Sequence, residues 1–595
     1  MRRIYKALII GSGAAAYSCA DWLYREGVTD IAVVTEGRLS GTSRNTGSDK
    51  QTYYKISMDG FTPDSPYKMA SDMFSGGSCD GKKMYLEAVN SQKCFLRLCE
   101  YGVNFPTDSY GGYPGYKTDH DDTVRATSVG PLTSKKMTEK LEKVVLERNK
   151  THLFDNKLVV EILIHNGKAY GAKVLDTLTN KTENIFSKNI ICATGAPACI
   201  YEDSVYPVSQ HGMTGVILEA GVRMCNFTQW QYGMASVDFR WNVSGSFMQV
   251  IPRFVSVDEN GNEYEFLSDY FTDINEAYSY VFLKGYQWPF SYGRANESSQ
   301  IDFAVHSETS KGRKVYLDYR KNPADFCFEK LSAEAKDYIN STDCMADTPF
   351  ERLQRLNSKA IDVYLRQEIN LETDMLRIAV CAQHNNGGVY TDSNFESDIK
   401  GLYVIGEAAG TFGLSRPGGS ALNDTQVGGI VCAKHITGKA DSTTDESIYD
   451  AFANDYADFT VDDRISYAHF KTKMSEVASF KRDYEGCIAL LCEINDTLAS
   501  YPQKHKSLYD YYRDKDMLIS MKALLEAIVS ELPETGSRGG AVFIKDGSVQ
   551  KENLYYRDYL TVTGKGKTEY IKVSPVPYGQ KPFEHYLSEI DENEM

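Results

Sequence analysis

The sequence predicts an α/β protein: a doubly wound parallel sheet with a β-hairpin excursion, an inserted α+β domain and a C-terminal helical domain. Three observations predict it. The chain opens strand, glycine turn, helix, strand. Parallel-strand character returns at Gly401 to Ile405 after a long aromatic and polar stretch. Helical periodicity dominates beyond about Gly438.

Each element has its own reason. Tyr5 to Ile10 (YKALII) is an apolar run too short for a helix, and it ends in Gly11. Ala14 to Arg25 reads as an alanine-rich helix, and Ile31 to Thr35 (IAVVT) as a second, β-branched strand. Between Leu158 and Leu175, two alternating runs flank His165-Asn166-Gly167-Lys168, where Asn-Gly signals a hairpin. Asn189 to Ala193 forms a further strand that ends in Thr194-Gly195. The stretch from Thr228 to Arg377 is rich in Tyr, Trp, Phe, Asn and Ser, with strand-like pieces SFMQVIPRFVSV and KVYLDY. In the best helical pattern Leu518, Met521, Leu525, Ile528 and Leu532 share a face, and Pro533 is expected to stop that helix. The expected division is 1–227 with 378–440, then 228–377 as the insertion, 441–535 as helices and 536–595 as a mixed segment.

Composition narrows the function. The 595 residues match about three to five structural units. Hydrophobic residues at 42% and charged residues at 25% exclude a disordered chain or a fibre. A net charge of −16 argues against a nucleic-acid surface, which needs a basic patch. No apolar run approaches the roughly 18 residues of a membrane helix. MRRIYKALIIGSG has too short an apolar part for a signal peptide and no A-x-A site, so a cytoplasmic location is expected. The 13 cysteines contain no C-x-x-C; they read as buried free thiols rather than iron–sulfur or zinc ligands, and no metal is expected.

Gly11-Ser12-Gly13-Ala14-Ala15-Ala16 fits G-x-G-x-x-A between a strand and a helix. Gly11 permits the tight turn, Gly13 leaves the helix N-terminus open to a pyrophosphate, and Ala16 lets helix and strand pack closely. Glu36, after the second strand, is placed to accept hydrogen bonds from a ribose diol. The pattern is that of a Rossmann-like dinucleotide domain. Ala193-Thr194-Gly195 and the strand ending in Gly406-Glu407 add two more glycine turns, and three turns on one sheet suit the long, extended FAD.

The chain resembles the FAD-binding flavoprotein family that includes succinate dehydrogenase and fumarate reductase flavoproteins, L-aspartate oxidase and adenylylsulfate reductase. The resemblance rests on GSGAAA with Glu36, on SGTSRNTG (40–47), and on the hairpin leading to ICATGA. It continues through FTQWQYG, QHNNGGVYTD, GLYVIGEAAGTFGLSRPGGSALNDTQVGG and Ser537-Arg538-Gly539. It covers most of residues 5–440. It implies FAD contacts from Gly11, Gly13, Ala16, Glu36, Thr42, Ser43, Asn45, Gly47, Thr194, Gly195, Gly406, Glu407, Ser420 and Leu422. It also implies hydride transfer between flavin N5 and a carbon beside a carboxylate or carbonyl, with Arg416 as the carboxylate clamp and His384 and Gln383 facing the substrate.

Two departures from that pattern matter. Relatives with covalent FAD have a His where this chain has Gly41, so FAD is expected to be non-covalent. The family's proton-donating Arg falls near Ser298 within GRANESSQIDFAVHSE; Arg294 is nearby and Arg253 lies elsewhere in the inserted domain, but neither matches that position. Fumarate reduction is therefore in question. The 71 aromatic residues, dense at Tyr110–Tyr116 and Tyr278–Tyr292, read either as packing or as a pocket for a larger, flatter substrate. The partner is a small-molecule substrate, with NAD(P)H, a quinone or a partner protein as the other redox party. An L-aspartate oxidase-like amino-acid oxidase and a flavoprotein subunit of a larger redox complex are the alternative functions.

Overall fold

The computed structural model describes residues 3–59, 61–118, 121–148, 151–439, 446–452, 467–501 and 507–577. Parts of the expected helical and C-terminal segments, including 578–595, lie outside the described residues.

In chain order, the elements that position the site begin with β1 (Ala7–Ile10), α1 (Ala14–Arg25) and β2 (Ile31–Val34). Next come β3 (Thr151–Phe154), β4 (Lys157–His165), β5 (Lys168–Asp176), β6 (Lys181–Ser187) and β7 (Ile190–Cys192). Then follow β8 (Trp230–Ser236), β9 (Arg253–Val257), β10 (Lys314–Asp318) and β11 (Leu376–Asn385). The walk ends with β12 (Leu402–Val404), α2 (Ser420–Gly438) and α3 (Leu508–Thr535).

The central sheet is parallel throughout, in the order β12-β7-β1-β2-β3. β1, β2, β7 and β12 are buried at every residue, as expected of strands covered on both faces. Gly11 leaves β1 with φ +117°, and a Cβ there would stand 2.4 Å from the Ala193 carbonyl oxygen. Only glycine lets the ends of β1 and β7 sit this close. α1 and α2 cover one face of the sheet; a Cβ on Gly429 would meet Ser18 Oγ at 2.8 Å, so these helices nearly touch. The antiparallel β4-β5-β6 excursion is joined to the parallel Ile4–Tyr5 strand through β6. Its β4–β5 turn has positive φ at Asn166 (48°) and Gly167 (71°), the conformation that an Asn-Gly hairpin prefers.

A second, six-stranded sheet runs Trp241–Asn242, β8, β11, β10, β9, Glu263–Tyr264. Across its β8–β11 ladder Gln231 lies opposite His384. The C-terminal hairpin Tyr559–Gly564 and Lys567–Lys572 extends a smaller sheet with Met224–Cys225 and Gly388–Val389. The thirteen cysteines are all unpaired, and ten are buried. Among the described residues no helix is long and apolar enough to cross a membrane.

Two sequence expectations are corrected. SFMQVIPRFVSV is not one strand: Ser246–Gln249 forms a helical turn before β9. Gly245 takes φ +62°, and Asp49 accepts the Ser246 N–H at 2.9 Å, which bends the chain there. Pro533 does not stop α3, which continues to Thr535 and is closed by Gly536, whose N–H reaches Leu532 O at 2.9 Å. A proline in the last turn leaves most of the helix ladder intact.

Within the second region Lys284 Nζ lies 2.8 Å from Asp302 Oδ2, and both side chains are fully buried. Removing one partner leaves an uncompensated buried charge. The K284M variant should therefore lose about 3–5 kcal/mol of unfolding free energy in denaturant titrations. The K284M/D302L double variant should recover most of that loss; equal stability of K284M and parent would show that the pair is not a structural tie.

Candidate functional site

A groove runs along the C-terminal ends of β1, β7 and β12. Gly11, Gly13, Glu36, Thr42, Ser43, Thr194, Gly195, Glu407 and Leu422 all line it, together with Gln383 and His384. Other residues singled out from the sequence lie elsewhere. Ala16 is fully buried inside the helix–sheet interface. Asn45 donates to the carbonyls of Leu39 and Gly41 and shapes the loop. Gly406 packs against Ala15, and Ser420 Oγ donates to Pro417 O at 2.8 Å. Gly47 lines an adjoining cavity.

The pyrophosphate end follows from backbone geometry. The first turn of α1 carries no acidic residue, its Gly13 cap supplies no side-chain hydrogen bond, and Gly13, Ala14 and Ala15 line the groove. Ser43 Oγ accepts the Ala14 N–H at 3.1 Å. Thr42 Oγ1 donates to Gln210 Oε1 at 2.7 Å, and Gln210 Nε2 donates to Thr194 O at 2.7 Å, tying two of the loops together. Thr194 Oγ1 and His211 Nδ1 are buried with no hydrogen-bond partner among the described residues. Unsatisfied polar atoms beside an open helix N-terminus fit a long polar, anionic cofactor.

Several lining residues escaped the sequence reading: Leu158 and Val159 of the hairpin, Tyr206, and the Ser209–Met213 turn. His211-Gly212 just before a helix (Thr214–Glu219) was the available signal for that turn. The hairpin strand carries no motif at all.

The second cavity, of about 790 Å³, meets the groove: Thr46, Gln51, Gln383, His384, Ala421 and Leu422 line both. Arg416 lines this cavity and is held on two sides. Its Nε donates to Asn386 Oδ1 at 3.2 Å, and its Nη2 donates to Gln231 Oε1 at 2.8 Å. His384 Nδ1 lies 3.2 Å from the same Asn386 oxygen. That oxygen already accepts from Arg416, so the network assigns the imidazole proton to Nδ1 and leaves Nε2 with a lone pair. Burial, then the Arg416 charge, hold His384 well below its ordinary range and therefore neutral. Gln383 Nε2 donates to Gly233 O at 2.7 Å, and its Oε1 accepts from Asn242 at 3.3 Å.

The three residues weighed as proton donors are elsewhere. Ser298 is buried against Gln287 (2.7 Å), Arg253 is bound by Asp318, Glu265 and Glu263, and Arg294 does not line the cavity. The cavity's own proton-carrying groups include Tyr116, Lys50, Asp49 and His384.

Residues 6–422 match the family described as FAD binding domain. The chain belongs to that family. It is an FAD-binding oxidoreductase. Over 419 residues it is 22% identical to an L-aspartate oxidase of Synechocystis sp., covering 68% of this chain and 66% of the relative. Over 450 residues it is 23% identical to a subunit of the fumarate reductase (CoM/CoB) of Methanothermobacter marburgensis, covering 72% of each. The fold of quinol fumarate reductase FrdA from E. coli superimposes with a TM-score of 0.71 at 17% identity, over 98% of both chains.

Glu407 accepts from the Tyr206 hydroxyl and from the Asn385 N–H (3.0 Å), and its Oε1 stands 3.8 Å from His384 Nε2. Burial pushes its carboxyl up to about 7, from an ordinary 4.5. A carboxyl with a raised folded pKa holds an extra proton in the native state between those values, so its contribution to stability falls as pH rises through them. In flavin-free protein E407Q should therefore gain Tm relative to the parent as pH goes from 5 to 7. A Tm difference that stays flat with pH would mean that Glu407 is ionised throughout.

Proposed function

We propose that this protein transfers a hydride between FAD and a carbon beside the carboxylate or carbonyl of a small molecule held in the second cavity. One observation carries the reading: Arg416, fixed by Asn386 and Gln231, lines the cavity where it meets the FAD groove. A guanidinium fixed in this way presents a planar fork that matches two carboxylate oxygens. Its charge draws electron density from a conjugated double bond, which makes the far carbon electrophilic.

FAD, when bound, supplies the hydride chemistry. Gly11, Gly13 and Ser43 would hold its pyrophosphate, Glu36 its ribose, and Leu422 and Glu407 its flavin half. The bond to FAD is non-covalent in this reading, because Gly41 offers no nucleophile. Neutral His384 can accept or return a proton at Nε2, and Gln383 can orient a carbonyl. Residues 228–377 act as a cap: Asn242, Gln249, Phe282, Tyr286, Trp288 and Tyr338 wall the cavity opposite the groove. Such walls exclude water from the reacting centre.

The cavity falls within the roughly 300–1,000 Å³ typical of sites for drug-sized ligands. Its aromatic wall and the absence of an arginine at 298 favour a carbonyl or carboxylate substrate larger than a four-carbon diacid. A second reading, amino-acid oxidation, has the L-aspartate oxidase relative in its favour. Hydrogen peroxide released with L-aspartate would select it. The unpaired cysteines favour a reducing, cytoplasmic setting.

The deciding experiment reduces the yellow protein anaerobically and screens enoates, keto acids and amino acids for flavin reoxidation. An enoate larger than fumarate should reoxidise it fastest. R416K should lose about a hundredfold in kcat/KM with that substrate while retaining full flavin content. Unchanged turnover in R416K would remove the clamp from the mechanism.

A further inference from the structure

The helical region reaches into the cofactor site. Tyr509, Arg513 and Asp516 recur four and three residues apart on α3, which places them on one face. Tyr509 Oη donates to Glu36 Oε1 at 2.5 Å, and Arg513 Nη2 donates to Glu36 Oε2. Arg513 is 4% exposed, so its charge is directed at Glu36 rather than at solvent. Asp516 Oδ2 lies 3.4 Å from Arg513 Nη1, and its Oδ1 accepts the Val216 N–H at 3.2 Å. A Cβ on Gly215 would meet the Asp516 carbonyl oxygen at 2.3 Å. α3 is thus packed directly on the Thr214–Glu219 helix, and the turn leading into that helix (His211 to Met213) lines the groove.

Both walls of the ribose end are therefore held by one helix. Burial alone would raise Glu36, but the Arg513 guanidinium and the Tyr509 hydrogen bond together outweigh it and keep the carboxyl below its ordinary range, so the side chain is an anion. A carboxylate has about four acceptor positions, and α3 occupies two of them. The others remain for a diol. His211 Nδ1, also in the groove wall, is buried with no partner among the described residues. Burial, then Arg513, push this imidazole down to about 3, so it stays neutral.

We propose that α3 is part of the FAD site: Arg513 and Tyr509 are positioning residues that hold Glu36 for the ribose diol of the adenosine half. The N-terminal sheet and the C-terminal helix then bind that half jointly. Cofactor affinity depends on residues more than 470 positions beyond the glycine motif, with no contact to the flavin ring. The effect of Arg513 belongs to the adenosine half alone and passes through Glu36.

The test uses the full chain stripped of flavin. FAD affinity is measured by flavin fluorescence quenching, and ADP affinity by competition against FAD. R513M should raise both dissociation constants by about tenfold or more, the size expected when a charge-assisted hydrogen bond is lost. Y509F should raise them by a smaller, parallel factor, and R513K should restore part of the loss. In E36Q, adding R513M should cost little further. The visible band and the midpoint potential of FAD-saturated R513M should match those of the parent, which a general disruption of the fold would not allow. If R513M does not fold, Y509F, which removes only a hydroxyl, and R513K carry the same test. FAD binding within twofold of the parent in Y509F and the Arg513 variants would overturn the proposal. So would weaker FAD binding with unchanged ADP affinity, a shifted flavin potential, or absence of ADP competition in the parent.

Discussion

Ile10, Cys192 and Val404 stand side by side in three neighbouring parallel strands. Everything at the site depends on that register. Because the strands run the same way, they must all release the chain at one edge, and the turns after them form a single row. Gly11, Thr194-Gly195 and Gly406-Glu407 are brought together by this constraint alone. A reversal of any one strand would send its turn to the far side of the sheet.

That row is a scaffold, and the chemistry is added by polar contacts at its end. The Asn386 and Gln231 amide oxygens take the shortest hydrogen bonds of the Arg416 guanidinium, whose Nη1 also reaches Pro417 O and Ser420 Oγ. Gln231 reaches the guanidinium from β8, opposite His384 on β11, so the second sheet aims a residue of the loop between β12 and α2. Holding a guanidinium in advance avoids paying for its ordering when substrate arrives. Asn386 serves both the guanidinium and the imidazole, which links the charge of one to the tautomer of the other.

The molecule is also closed from its C-terminal side. α3 packs on the Thr214–Glu219 helix through Asp516, and the hairpin from Tyr559 to Lys572 pairs with Met224–Cys225. Late segments of the chain thus complete early ones. A protein organised this way couples cofactor binding to the docking of remote helices, since whatever is bound by both is stabilised by both.

How much of this was legible in the amino-acid order follows from the range of each interaction. α1 coincides with its expected limits of Ala14 and Arg25, and the Asn166-Gly167 turn is where its residue types demand it. Both are set by neighbours within a few positions, through periodicity and φ preference. The three glycine turns were visible for the same reason, whereas Arg416 was singled out only by the resemblance of its GLSRPGGS segment to the family's. Local rules misjudged Ser246 and Pro533, where Asp49, almost two hundred residues earlier, bends the chain and a helix end tolerates a proline. No short window could have shown that Arg513 and Tyr509 reach Glu36, across 477 and 473 positions, or that the Ser209–Met213 turn joins the groove. Sequence by itself determined the βαβ unit, the hairpin and the glycine row, because each is encoded in adjacent residues. Which carboxylates, amides and cations meet there was decided only by tertiary packing, because charge pairs act through space and not along the chain.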